Sequence, residues 1–456
     1  MRRADEAKGT SPISTAFFTD RYELTMLDAA LGSGAADREA VFEVFARGLP
    51  AGRRYGVVAG LGRLLEALES FRFGPEEIDW LERTRLVSPA TLEWLAAFRF
   101  SGSIDAYAEG ECYFPHSPVL TVESSFGEAV LLETLVLSIL NFDSSVASAA
   151  ARMVDAAAGR PIVEMGSRRV HEEAAVAAAR AAVLAGFAST SNLEAGRRYG
   201  LPTAGTAAHA FTLAHDDERS AFGAQLDALG LQTTLLVDTY DIPAGIEHAV
   251  AAARARGAAG PGAIRLDSGD LDTLAREARA HLDRLGATAT RIVVSSDLDE
   301  EALAGLAGAP VDLYGVGTRV VTGSGAPTAG FVYKLVAIGA PGGAGQRPVA
   351  KLSFAKESAG GRKRAFRLLD EAGVARAEQL VVGEDEPLLP PGWRARALQS
   401  RVVEKGQVSA PGEPAALVAA ANQRLRGSLA ELAEGARSPA PGAPALFGRL
   451  APMREP

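Results

Sequence analysis

The sequence predicts a parallel α/β barrel in the middle of the chain, set between two segments of mixed helix and strand. Three observations carry this. From about residue 160, short apolar runs alternate with alanine-rich helical stretches. The runs, at 162–166, 185–187, 202–205, 234–238, 263–267, 292–297 and 313–317, are apolar on both faces, as parallel strands sandwiched between helices must be. Polar, chemistry-bearing residues follow nearly every run. An open doubly wound sheet would gather them at one switch point, so a barrel, regular or incomplete, is favoured.

The elements follow in order. Residues 1–15 are polar and predict a disordered tail. Residues 16–32 predict a helix capped by Thr19 or Asp20, with Glu23 in its first turn and Gly32 and Gly34 at its end. A strand at 40–45 and helices at 60–71 and 75–83 follow, the last opening on Pro75. Gly110, Pro115 and Pro118 divide 104–122 into two or three strands. Helices are expected at 125–140 and 145–157. Within the repeat, helices are expected at 171–184, 217–229, 243–257, 271–285 and 299–307. Past 330 the alternation stops. Strands are expected at 331–338, 349–354, 363–368 and 379–382, a helix at 414–426, and an extended Pro/Ala-rich tail at 437–456. The expected division is thus 16–145, a barrel at 146–330, and 331–436.

The 456 residues suit about two or three domains, and 47% hydrophobic with 23% charged residues is an ordinary globular balance. A net charge of −9 excludes a globally basic nucleic-acid surface. Cys112 is the single cysteine, so no intrachain disulfide forms and a reducing cytoplasm is expected. The first fifteen residues lack the apolar run of a signal peptide. The longest apolar stretch, 129–140, holds Glu133 and is too short to span a membrane.

Strand ends of a parallel barrel share one mouth. In order they carry Glu164 with Arg168 and Arg169, then Ser191 and Asn192, then Thr206 and His209, then Asp238 to Asp241, Arg265 with Asp267 to Asp270, Ser295 to Asp297, and Gly315 to Thr318. Gly315 and Gly317 free backbone N–H groups and Thr318 adds a hydroxyl, which suits a phosphate monoester. Asp267 and Asp270 flank Ser268 and Gly269 and suit ribose hydroxyls, or Mg²⁺ on a diphosphate. Arg168 and Arg169, with Arg265, supply cations for a carboxylate or a departing pyrophosphate. His209 is a candidate base, acid or nucleophile. Singly, each has a plain alternative. Gly-x-Gly can be a turn, Asp-Ser-Gly-Asp a turn plus helix cap, the paired arginines a solvated helix start, and the histidine a core residue. Their concurrence at one mouth points to an enzyme acting on a phosphorylated sugar and a small anion. No lysine sits at a strand end, which disfavours a Schiff-base aldolase.

Seven segments, in order over roughly residues 17–367, make the sequence similar to the nicotinate phosphoribosyltransferases. They run 19–26, 42–50, 164–169, 186–192, 205–210, 265–270 and 315–318. The resemblance implies transfer of 5-phosphoribosyl from phosphoribosyl pyrophosphate to nicotinate, giving nicotinate mononucleotide and pyrophosphate in NAD salvage. It implies coupling to ATP hydrolysis through a phosphohistidine at His209, with Mg²⁺ on the substrate diphosphate. It also implies a barrel beside a smaller α+β domain built from both chain ends, and a homodimer with shared sites. Tyr22 would reach in from the partner and Phe187 line the pyridine site. Thr206 and Arg265 would contact nicotinate, and Thr318 the 5-phosphate. Ala210 stands where many members have serine. Lys351 and Lys356 lie in a segment resembling the family's basic one. A relative using nicotinamide or quinolinate, or a silent ligand-binding relative, is the alternative.

Overall fold

The computed structural model describes residues 14–340, 345–350, 360–409 and 412–451; Lys351 and Lys356 lie outside them. Asp20 caps the helix Arg21–Ser33 by accepting the Arg21 amide hydrogen, and Gly34 closes it in the left-handed region. Glu23, fully buried, accepts from the Thr19 hydroxyl and from the Thr134 amide and hydroxyl. It thereby pins this helix to the start of the helix Glu133–Ala156.

Besides a two-stranded ribbon of 56–57 and 112–113, three antiparallel strands come first: β1 (Glu39–Ala46), β2 (Ser103–Tyr107) and β3 (Leu120–Ser125). Six parallel strands follow: β4 (Ile162–Glu164), β5 (Ser189–Thr190), β6 (Thr234–Leu236), β7 (Ala263–Leu266), β8 (Arg291–Ser296) and β9 (Leu313–Val316). Next come β10 (Phe331–Gly339), β11 (Gln346–Pro348), β12 (Lys363–Leu369), β13 (Ala375–Val382), β14 (Arg394–Ala397), β15 (Gln399–Glu404), β16 (Gln407–Val408) and β17 (Gly448–Leu450). One seven-stranded sheet has the order β11-β10-β1-β3-β2-β15-β16, so segments from both sides of the parallel unit share it. A four-stranded sheet, β14-β12-β13-β17, takes the C-terminal tail as a parallel edge strand.

The parallel sheet runs β5-β4-β9-β8-β7-β6. Strands from opposite ends of the repeat, β4 and β9, are neighbours, as barrel winding requires. The sheet is nevertheless open. Among the described residues only a single bridge, Thr190 to Thr203, continues it past β5. Pro202 has no N–H to donate to a ladder, and residues 204–208 leave the sheet to line a cavity instead. The expected strand at 185–187 is also displaced. Gly186 turns left-handed at φ 116° just after the helix Glu172–Leu184, and the strand begins at Ser189.

The expected break between helices near residue 140 is absent: one helix runs Glu133–Ala156, across the expected domain boundary at 145/146. Its N-terminal half, with Leu135 and Ile139, packs into the antiparallel core. Its C-terminal half, with Val146 and Met153, packs into the core of the parallel unit. By length and composition this helix could cross a membrane, contrary to the reading of 129–140, but 72% of its apolar window is buried inside the protein. Each large apolar side chain buried there contributes roughly 1.5–3 kcal/mol.

Candidate active site

The loops at the C-terminal ends of the parallel strands surround a cavity of about 640 Å³. On one side lies the loop after β4. Buried Glu164 accepts from the Gly166 amide and the Thr190 hydroxyl. The Met165 amide donates to the Val316 carbonyl at 2.7 Å. This fixes the turn that presents Ser167, Arg168 and Arg169 to the cavity. Burial pushes the Glu164 carboxyl above its ordinary range, opposed by those hydrogen bonds. Neither Arg168 nor Arg169 has an ion-pair partner among the described residues, so both cations are available to an anion.

Opposite lies Arg265 on β7, whose Nη1 donates to the Thr206 hydroxyl at 2.7 Å. Its Nε is buried without a partner. Asp267 also lines the cavity and accepts from the Ser295 hydroxyl. Its amide donates to Asp238 Oδ2 at 2.8 Å. The floor is the β9 end. A Cβ on Gly315 would lie 2.8 Å from Met165 Sδ and 3.0 Å from Ser295 Cβ, so this close approach needs glycine. Gly317, Thr318 and Ser191 complete the expected lining.

Other expected residues stand elsewhere. His209 opens the short helix His209–Leu213, one residue beyond the lining Ala208. Its Nδ1 shares a hydrogen bond with the Thr239 hydroxyl at 3.2 Å, and its Nε2 lies 3.9 Å from Asp238 Oδ1. Asp270 does not line the cavity. It caps the helix Leu271–Arg284, taking the Thr273 hydroxyl at 2.8 Å, and that bond holds its carboxyl below the usual range. The expected Asp267–Asp270 pair therefore does not converge; local cap geometry claims the second acid. Ser268 is exposed and weakly bonded to Asp238 at 3.3 Å. Gly269 supplies the left-handed turn, φ 89°. Asn192 is turned inward, capping the helix Leu193–Tyr199 and donating to the Ser167 hydroxyl at 3.0 Å. It positions the rim rather than lining it. Phe187 is 3% exposed, in the core and not in the cavity lining. Tyr22 is 44% exposed on the N-terminal helix and is not part of this chain's cavity.

Two acids were given no role from the sequence. Asp297 lines the cavity and pairs with Arg319 at 3.1 Å. Asp238, whose side chain is 2% exposed, lies between His209 and the Asp267 loop. Both stand at strand ends, where the sequence already places them at the mouth without a chemical role. Among the described residues no group of three His, Cys, Asp or Glu could hold a metal by itself. Asp267 and Asp297 do offer two hard carboxylates in one cavity, which fits Mg²⁺ brought in on a diphosphate and completed by water.

The geometry defines an α/β enzyme whose cavity suits a phosphorylated, anionic small molecule. Residues 17–141 match the family model of the nicotinate phosphoribosyltransferase N-terminal domain. A nicotinate phosphoribosyltransferase of Mycobacterium tuberculosis is 55% identical over 99% of this chain and 98% of its own length. One from Bacillus subtilis is 37% identical over 79% of this chain and 74% of its own. The crystal structure of human nicotinic acid phosphoribosyltransferase superposes with a TM-score of 0.80, at 28% identity, over 94% of this chain and 97% of that one. The chain belongs to the nicotinate phosphoribosyltransferase family.

Proposed function

We propose that this protein transfers the 5-phosphoribosyl group of phosphoribosyl pyrophosphate to nicotinate, forming nicotinate mononucleotide and pyrophosphate in NAD salvage. The observation that carries the reading is one cavity holding free arginines, the Arg265–Thr206 pair, Asp267 and the Gly315–Thr318 floor. Gly317 and Thr318 take the 5-phosphate. Arg168 and Arg169 neutralise the departing diphosphate. Arg265, half-buried in the cavity wall, takes the nicotinate carboxylate and so aims the pyridine nitrogen at the ribose C1 carbon. Asp267 stabilises the positive charge that develops on the ribose as pyrophosphate leaves. Mg²⁺ on the diphosphate would supply further charge neutralisation there, with Asp267 and Asp297 as its protein ligands.

ATP enters this reading as co-substrate, with His209 as the phosphorylated residue. Phosphorylation beside Asp238 would change the charge at the cavity rim and order its loops. A homodimer is supported by the exposed apolar group Phe17, Phe18, Tyr22 and Met26. The lone cysteine, free and buried, supports a cytoplasmic location. The test is incubation with phosphoribosyl pyrophosphate, Mg²⁺ and either nicotinate or nicotinamide, with and without ATP. Mononucleotide from the acid is expected. Product from the amide alone, or none, would refute the proposal.

A further inference from the structure

Behind the phosphate end of the cavity lies a buried polar chain that the chemistry above does not use. Thr318 begins a helix of one turn, Thr318–Val321, too short to hold itself. It runs into a turn of three left-handed residues, Gly323 (φ 69°), Ser324 (φ 49°) and Gly325 (φ 84°). Serine is costly in that region and persists only where its surroundings enforce it. They do so here. The Ser324 hydroxyl donates to Glu300 Oε2 at 2.6 Å. Glu300 Oε1 pairs with Arg152 Nε at 3.0 Å. The same arginine donates from Nη2 to the Pro439 carbonyl at 2.6 Å. Arg152 and Glu300 are 6% and 7% exposed. Arg53 donates to the Gly323 carbonyl and Ser145 to that of Ala326, while a Cβ on Gly323 would fall 2.1 Å from Ser145 Oγ. Glu300 also opens the helix Glu300–Gly305 just after Asp297, so one carboxylate ties together two cavity loops. Burial pushes that carboxyl up, and Ser324 and Arg152 more than offset it, leaving it ionised.

We propose that Arg152, Glu300 and Ser324 are positioning residues that fix the 323–325 turn, and through it Gly317 and Thr318, for the 5-phosphate of the substrate. The proposal rests on the phosphoribosyl reading of the cavity. Ser324→Gly separates positioning from stability, because glycine relieves the left-handed backbone while removing the hydroxyl. Thermal stability of this variant should hold or rise. Its KM for phosphoribosyl pyrophosphate should rise roughly tenfold, the scale of one lost charge-assisted hydrogen bond, while KM for nicotinate stays within about twofold. Ser324→Asn, which tolerates the left-handed region and can reach Glu300, should recover part of the loss. Glu300→Gln should show the same selective rise. Calorimetry with ribose 5-phosphate gives a readout independent of turnover, with binding weakened to the same degree in Ser324→Gly. An unchanged KM, an equal rise in both KM values, or a rise that tracks lost stability would overturn the proposal. So would wild-type protein that does not bind ribose 5-phosphate. Wild-type protein that binds the sugar phosphate but turns over neither pyridine would refute the proposed function and leave the positioning role to be judged by binding.

Discussion

Asp238 shows how much one side chain can organise. Oδ2 takes the Asp267 amide at 2.8 Å, while Oδ1, buried and without a hydrogen bond, faces His209 Nε2 at 3.9 Å. Asp238→Ala should release both and lower kcat about 100-fold, the usual cost of misplacing reacting groups by about 1 Å; steady-state kinetics check it. His209→Asn should abolish ATP stimulation and phosphate incorporation while retaining ATP-independent transfer. A variant that is still labelled by radioactive ATP and still stimulated would exclude the phosphohistidine. Asp143 gives a pH prediction. Burial pushes its carboxyl up to about 6 from an ordinary 3.8, despite Arg63 at 2.6 Å, because Oδ2 has no partner. A raised folded-state value means the stabilisation is complete below 3.8 and is lost as pH rises through about 6. Asp143→Asn should gain thermal stability relative to wild type across that window. A difference in Tm that does not vary with pH would count against this account.

Among the elements, legibility followed local chemistry. Asp217, Asp241, Asp270 and Asp299 each cap a helix with the side chain, so those helix starts were readable within a residue or two, whereas the helix expected from residue 16 starts only after its Asp20 cap, at Arg21. Where the sequence predicts a gap between two helices, one continuous helix, Glu133–Ala156, carries Asn141, Asp143 and Ser144 in its interior. Tertiary partners satisfy them. Asn141 exchanges hydrogen bonds with Phe331, Asp143 pairs with Arg63, and Ser144 takes the Ala59 amide. In the cavity, the floor strand β9 leaves no room for a side chain at Gly315. Gly315→Ala should cost about 1–3 kcal/mol through contact with Met165 and Ser295 and reduce transfer. A Tm unchanged from wild type would show that the strand gives way.

For the whole molecule, the C-terminal tail proved integral over the residues described. Arg152 and Arg54 bond the Pro439 and Ala440 carbonyls, and β17 joins β13. Truncation after residue 436 should lower Tm by several degrees or more, as lost edge pairing and an orphaned buried arginine require, measured by calorimetry. The proposed homodimer with shared sites predicts complementation. Mixing inactive Tyr22→Ala and Asp267→Asn chains should restore activity, since one of the mixed sites is intact; no recovery in a demonstrated mixed dimer would argue that each chain works alone.

By itself the sequence determined the alternation of apolar strand and helix, the polar residue that ends each strand, and the family. These depend on periodicity and on neighbours within a few residues. Tertiary structure alone decided which strand-end groups meet. It drew Asp297 into the cavity, turned Asp270 to a helix cap and Phe187 to the core, and left the parallel sheet open at Pro202. Each outcome is a competition for hydrogen bonds and buried volume among residues distant in sequence, and no local pattern records who wins.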